Sequence, residues 1–183
     1  ATSISFDLRL DEVVVDNDGT FSDCGSVEEP HCPWTSDDTL GYMCDFHGFR
    51  LVAGGHKREH QNTIGAFGVG FTSVYQITDE PNLISSGRHW IIHEERDEKD
   101  RIEVCPGCPN CQPKDLPGTR FILAWAKDPK SELRRRLRAD GVGVNAYEKF
   151  LYELTTSLPN SLLFLQSIQE IRILRNNIVD KTL

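Results

Sequence analysis

The 183-residue sequence predicts one α+β domain over residues 1–183, and three observations carry that reading. Ile4, Phe6, Leu8 and Leu10 alternate with Ser5, Asp7 and Arg9, the period of a half-buried strand. Short apolar runs recur at Val13–Val15, Leu83–Ile84, Trp90–Ile92 and Phe121–Trp125, each of strand length. Tyr147, Phe150, Leu151 and Leu154 instead share one face of a helix.

In chain order, the first strand turns at Asp11-Glu12 into a more buried strand at Val13–Val15. Asp16-Asn17-Asp18-Gly19 ends it with turn-forming residues. Residues 22–63 are polar, with scattered Gly, His and Cys, and read as a long loop with one short helix at most. Loops of that length in a domain are usually functional. A helix starts near Phe71, with Phe71, Val74 and Tyr75 on one face, and two strands follow at Leu83–Gly87 and Trp90–His93. Residues 94–103 are crowded with charge and read as a solvated tip. Residues 104–117 form a Cys- and Pro-rich insertion, and Arg120–Trp125 a strong strand. Lys130–Arg138 reads as a basic helix. Leu162, Leu163, Phe164, Leu165 and Ile168 read as another helix face, ahead of a strand at Ile171–Leu174.

The composition excludes several classes. A net charge of −8 and a pI near 5.2 argue against a general nucleic-acid coat, which needs a basic footprint. No apolar run approaches the roughly 20 residues of a membrane span. Ala1–Leu10 lacks the basic start of a signal peptide, so a cytoplasmic location is expected. Six cysteines are too few for a disulfide scaffold of this length.

Gly65, Gly68 and Gly70 follow a G-x-x-G-x-G pattern just ahead of the helix at Phe71. Glycines let a backbone approach a ligand closely, and helix-start N–H groups favour anions, so the pair can form a phosphate site. It is neither a P-loop nor a Rossmann turn by spacing, and a tight turn ahead of a core helix fits it as well.

The surrounding residues narrow the choice. Lys57-Arg58, then Ile64–Pro81 with its glycines, Phe71-Thr72-Ser73-Val74-Tyr75 and Asp79-Glu80-Pro81, closely resembles the GHKL (Bergerat-fold) ATPase superfamily. The nearest likeness is its sacsin and NO VEIN-type branch, related to heat-shock chaperone ATPase domains. Val13–Phe21 looks like the first box of that superfamily and Leu116–Phe121 like its Gly-Thr box. The resemblance implies an α/β sandwich: a mixed, mostly antiparallel sheet with helices on one face and ATP held under a long lid at residues 22–63. It puts Asp16, or alternatively Asp18, on the adenine amino group, and Thr119 near the base through water. It has Gly65, Gly68 and Gly70, with the N–H groups of Phe71 and Thr72, cradle the phosphates. Lys57 matches a lid lysine that could meet a phosphate, and it also fits a solvated surface position.

The same resemblance implies Mg²⁺, and it places the hydrolytic Glu and the Mg²⁺-binding Asn on a helix ahead of the first strand. Ala1–Phe6 looks like the strand that follows that helix, so no catalytic base is assigned. ATP hydrolysis is expected only where a longer protein supplies it. The implied role is an ATP-binding module of a larger multidomain protein, chaperone-like or defence-related. ATP closure there would switch another domain or a dimer partner.

Cys105, Cys108 and Cys111 make a C-x-x-C-x-x-C run on a Gly/Pro turn, a spacing that suits Zn²⁺. A fourth ligand must come from afar, and Cys32 of the loop region is the candidate assigned; Cys24, Cys44, His31 and His47 lie in the same region. Reduced free thiols, or a cluster, are the alternatives. Lys130, Arg134, Arg135, Arg136 and Arg138 are read as a solvated helix face before a nucleic-acid contact. Two further functional readings stay open: a zinc-stabilised scaffold without nucleotide, and the ATPase module of a DNA-handling protein.

Overall fold

A computed structural model describes residues 1–36, 42–53, 69–111, 116, 118–161 and 167–183. Eight strands pair into one mixed sheet. They are β1 (Ser3–Leu8), β2 (Glu12–Asn17), β3 (Pro81–Ser85), β4 (Arg88–Ile92), β5 (Ile102–Val104), β6 (Thr119–Ala124), β7 (Glu170–Arg175) and β8 (Ile178–Thr182). Their order is β5-β4-β3-β6-β2-β1-β7-β8. Only β1 and β7 run parallel; the other described pairs are antiparallel.

Val13-Val14-Val15 explains why β2 lies near the centre. Val13 packs with Leu123 and Trp125 on one side of the sheet, and Val14 with Ile84 and Ile122 on the other. A strand buried on both faces needs a continuous apolar run, and β2 has one. The second core lies over β3 and β4. There Phe46 and Phe49 of α1 (Asp45–Ala53) meet Leu83, Trp90 and Ile92. Phe46 meets Trp90 edge-on at 4.8 Å between ring centroids.

Three more α-helices are described, α2 (Val69–Thr72), α3 (Glu132–Leu137) and α4 (Ala146–Ser161), together with three short 3₁₀ turns. Leu151 of α4 packs on Leu8 and Ile173. Pro159 lies inside α4 and has no N–H for the carbonyl of Thr155, which instead accepts from Lys181 Nζ at 3.4 Å.

The expected α/β sandwich with a helix layer on one face is not what forms. The sheet dominates, α2 and α3 are only four and six residues long, and α1 and α4 are the only longer helices described. Two strands account for much of the difference. β5 occupies part of the stretch read as a charged tip, and β8 was not expected at all. Both are short edge strands, too brief and too charged around their apolar residues to set a clear strand period. The expected helix face at Leu162–Leu165 lies outside the described residues.

Arg134, expected on a solvated face, is buried instead. Its Nε donates to Asp79 at 2.6 Å, and its Nη groups donate to the carbonyls of Tyr75, Gln76 and Thr78. It ties α3 to the segment between α2 and β3, while Arg135, Arg136 and Arg138 stay exposed.

Candidate metal centres and the residues expected at a nucleotide

The six cysteines divide three and three, and each trio gains a histidine. Cys24, Cys32, Cys44 and His47 form one set; His89, Cys105, Cys108 and Cys111 form the other. Within each set the ligand atoms all lie within 4.8 Å of one another. Either set could hold a metal such as zinc. Cys32 therefore does not join Cys105, Cys108 and Cys111; His89 takes that place.

The first set gathers around the start of α1. Cys44 immediately precedes the helix and His47 lies in its first turn. His47 Nδ1 stands 3.2 Å from Cys44 Sγ and 3.5 Å from Cys24 Sγ. Its Nε2 donates to the carbonyl of Glu29 at 3.0 Å. The Cys44 N–H donates to Cys32 Sγ at 3.3 Å. Arg50, one turn along α1, donates to the carbonyls of Val27 and Glu28 and so ties down the same loop.

The second set is built by sheet register. Trp90 pairs with Val104, so the next residues outward, His89 and Cys105, are adjacent; the Cys105 N–H donates to the His89 carbonyl at 3.0 Å. Gly107, at φ +129°, supplies a backbone conformation other residues rarely adopt and lets the chain fold back at the thiols. His89 Nδ1 lies 3.3 Å from Cys111 Sγ and 3.5 Å from Cys108 Sγ, and its Nε2 donates to Asn82 Oδ1 at 2.7 Å. Sequence reading missed His89 because only the β4–β5 pairing brings it to the thiols.

The electrostatics fit such clusters. Burial lowers the His89 pKa, favouring the neutral ring that ligates metals. Burial pushes the Cys44 thiol up to about 11. Burial would also raise Cys32, but N–H groups of Cys44 and Trp34 aimed at its sulfur outweigh that and bring it down. Cys108 is lowered in the same way: burial would raise it, but hydrogen bonds from the N–H of Asn110 and from the neighbouring thiols together outweigh that. Cys111 receives the Cys108 N–H, yet burial and the neighbouring thiols raise it. Like charges this close oppose one another's ionisation, and a cation among them would relieve that.

The residues expected at a nucleotide fall on the two faces of the sheet. Asn17 pairs with Thr119, and Thr119 with Ser85. Side chains alternate along a strand, so Asn17, Thr119 and Ser85 share the face of Val15, Phe121 and Leu83. Phe71 sits on that face, 6.0 Å from the Phe121 ring. Thr119 Oγ1 donates to the Gly19 carbonyl at 2.7 Å and lies 2.8 Å from Ser85 Oγ. Gly118 must be glycine, because a Cβ there would strike the carbonyl of Asn17.

Asp16 points to the opposite face, where Arg120 grips both its oxygens at 2.7 and 2.8 Å. Asp18 accepts from the N–H groups of Thr2 and Ser3 and from the Thr2 hydroxyl; that hydroxyl bond, first, and the N–H bonds hold its pKa well below the carboxylate range. Gly70 and Thr72 lie in α2 with Phe71, while Lys57, Gly65 and Gly68 lie outside the described residues.

A mixed sheet carries the two box turns and, at the same strand end beside β4 and β5, two Cys₃His sets; together they define a modular domain. The model of the sacsin domain family matches residues 4–95, and the chain belongs to that family. Sacsin of Homo sapiens is 26% identical over 156 residues, covering 70% of this chain and 3% of sacsin. The chain thus spans a small part of that relative's length. No helix among the described residues is long and apolar enough to cross a membrane.

Proposed function

We propose that the chain is an ATP-binding module of a larger multidomain protein, with the adenine held where β2 ends and β6 begins. The observation that carries this reading is the register that sets Asn17 opposite Thr119, with Ser85 beyond, on the face that Phe71 covers. On this reading Asn17 replaces Asp16 at the base, since Asp16 faces away and is held by Arg120. An Asn amide offers both donor and acceptor, which suits an adenine edge. Two residues further along β2 and β6 on the same face, an apolar cavity of about 400 Å³ is lined by Val15, Phe71, Val74 and Phe121, with Ser73 and Gln76 as its polar groups. A large apolar hollow with a few polar groups is the usual form of a small-molecule site. Membership of the sacsin-domain family and the glycines before Phe71 support the triphosphate end. Mg²⁺ would accompany the triphosphate, with no described side chain assigned to it.

Titrating the folded protein with fluorescent ATP, and displacing it with ADP, tests the proposal. Binding tighter than about 1 mM is expected, weakened at least tenfold by Asn17→Ala, as for loss of a hydrogen bond of roughly 1.4 kcal/mol. No binding at millimolar nucleotide by folded protein overturns it. That outcome would favour the scaffold reading, which the two Cys₃His sets support.

A further inference from the structure

We propose that this chain binds two Zn²⁺ ions, one in each Cys₃His set, and that they clamp the β4 edge of the sheet from opposite faces. The proposal does not depend on nucleotide binding.

The geometry of each set matches a single tetrahedral ion. Thiolates about 2.3 Å and an imidazole nitrogen about 2.05 Å from a central zinc stand about 3.8 Å (S to S) and about 3.5 Å (S to N) apart. Cys108 and Cys111 sulfurs are 3.6 Å apart, far beyond a disulfide bond. Four of the six sulfur-to-Nδ1 separations run from 3.2 to 3.5 Å, and all ligand atoms of a set lie within 4.8 Å.

The histidines supply an independent argument. The Glu29 carbonyl can only accept, so His47 Nε2 carries the proton and Nδ1 turns its lone pair toward the thiols. Asn82 gives the same answer at the other set. Its Nδ2 donates to the Glu80 carbonyl at 3.0 Å, which leaves Oδ1 facing His89 Nε2. Both rings are thus fixed in the metal-ligating tautomer by an acceptor behind them, the usual support for a zinc-bound histidine. A soft donor set of three sulfurs and one nitrogen selects zinc among common divalent ions.

Loading a site exchanges three thiol protons for one Zn²⁺ and leaves a net charge of −1. Backbone N–H groups already face that charge, from Cys44 onto Cys32 and from Cys108 onto Cys111. Four protein ligands leave no open position, so both ions are structural.

Their placement gives the role. His89 and Trp90 are successive residues of β4 and point to opposite faces. His89 holds the second ion directly. Trp90 packs on Phe46, the neighbour of the first ion's ligand His47. β5 beyond is only three residues long and could not secure this edge alone.

Metal analysis of protein purified without chelator is expected to give two zinc per chain, falling to one in Cys44→Ser and one in Cys108→Ser. If either variant fails to fold, His47→Cys and His89→Cys serve instead. Each should keep two equivalents and shift the Co²⁺-substituted spectrum toward four-thiolate ligation. Fewer than two equivalents in folded, reduced protein, iron in place of zinc, or unchanged metal in a folded Cys108→Ser protein overturns the proposal.

Discussion

Arg88 Nε donates to Asp23 Oδ2 at 2.6 Å, and these two residues are the chain neighbours of His89 and Cys24, one ligand from each Cys₃His set. Arg88 also pairs with Glu28 at 2.8 Å, and its guanidinium lies 5.8 Å from the centre of the Phe46 ring. One cation therefore ties the β3–β4 turn to the loop that carries the first set.

This pair has a pH signature. The hydrogen bond from Arg88 is the main cause of Asp23's lowered pKa. A carboxylate lowered on folding stabilises the fold above its unfolded pKa, about 4, and that stability is lost as pH falls through the folded value. Asp23→Asn should cost about 1 kcal/mol at neutral pH and flatten the acid limb of a urea-stability profile. An unchanged acid limb would remove the pair from the account.

Arg134→Ala should destabilise by about 3–5 kcal/mol, because it leaves buried carbonyls and Asp79 without their donor. Arg135→Ala, three atoms of chain away but exposed, should stay within about 0.5 kcal/mol. Guanidinium unfolding of the two variants checks the contrast.

Asn82→Ala should weaken zinc at the second set by about 10–100-fold and leave the first set unchanged, since Asn82 stands behind His89 only. Competition against a chelator of known affinity, resolved into two phases, measures it.

Gly118→Ala should cost about 1–3 kcal/mol through overpacking against Asn17. It should also displace Asn17 and lower ATP affinity more than stability loss alone explains, read by nucleotide titration below the unfolding transition.

The sequence was most legible where burial imposes a period. Val13–Val15, Phe121–Ala124 and the Tyr147–Leu154 helix face all appear, in β2, β6 and α4, with Trp125 just past β6. It was least legible where neighbours decide the outcome. β5 is only Ile102-Glu103-Val104, with Glu103 pairing with Arg96 at the solvent side, and an alternation that short after a charged run does not mark a strand. Asp16 and Asn17 are both plausible partners for a base as residues; only the register with Arg120 and Thr119 sorts them onto different faces. The metal ligands show the same limit. C-x-x-C-x-x-C announces a site, but the choice between Cys32 and His89 depends on β4 pairing with β5.

The most direct test of the nucleotide reading is a crystal structure of the zinc-loaded protein with a non-hydrolysable ATP analogue. The account predicts adenine within hydrogen-bond reach of Asn17, close to Thr119 and on the Phe121 face. Adenine bound on the Asp16–Arg120 face, or no nucleotide at millimolar concentration, would contradict it.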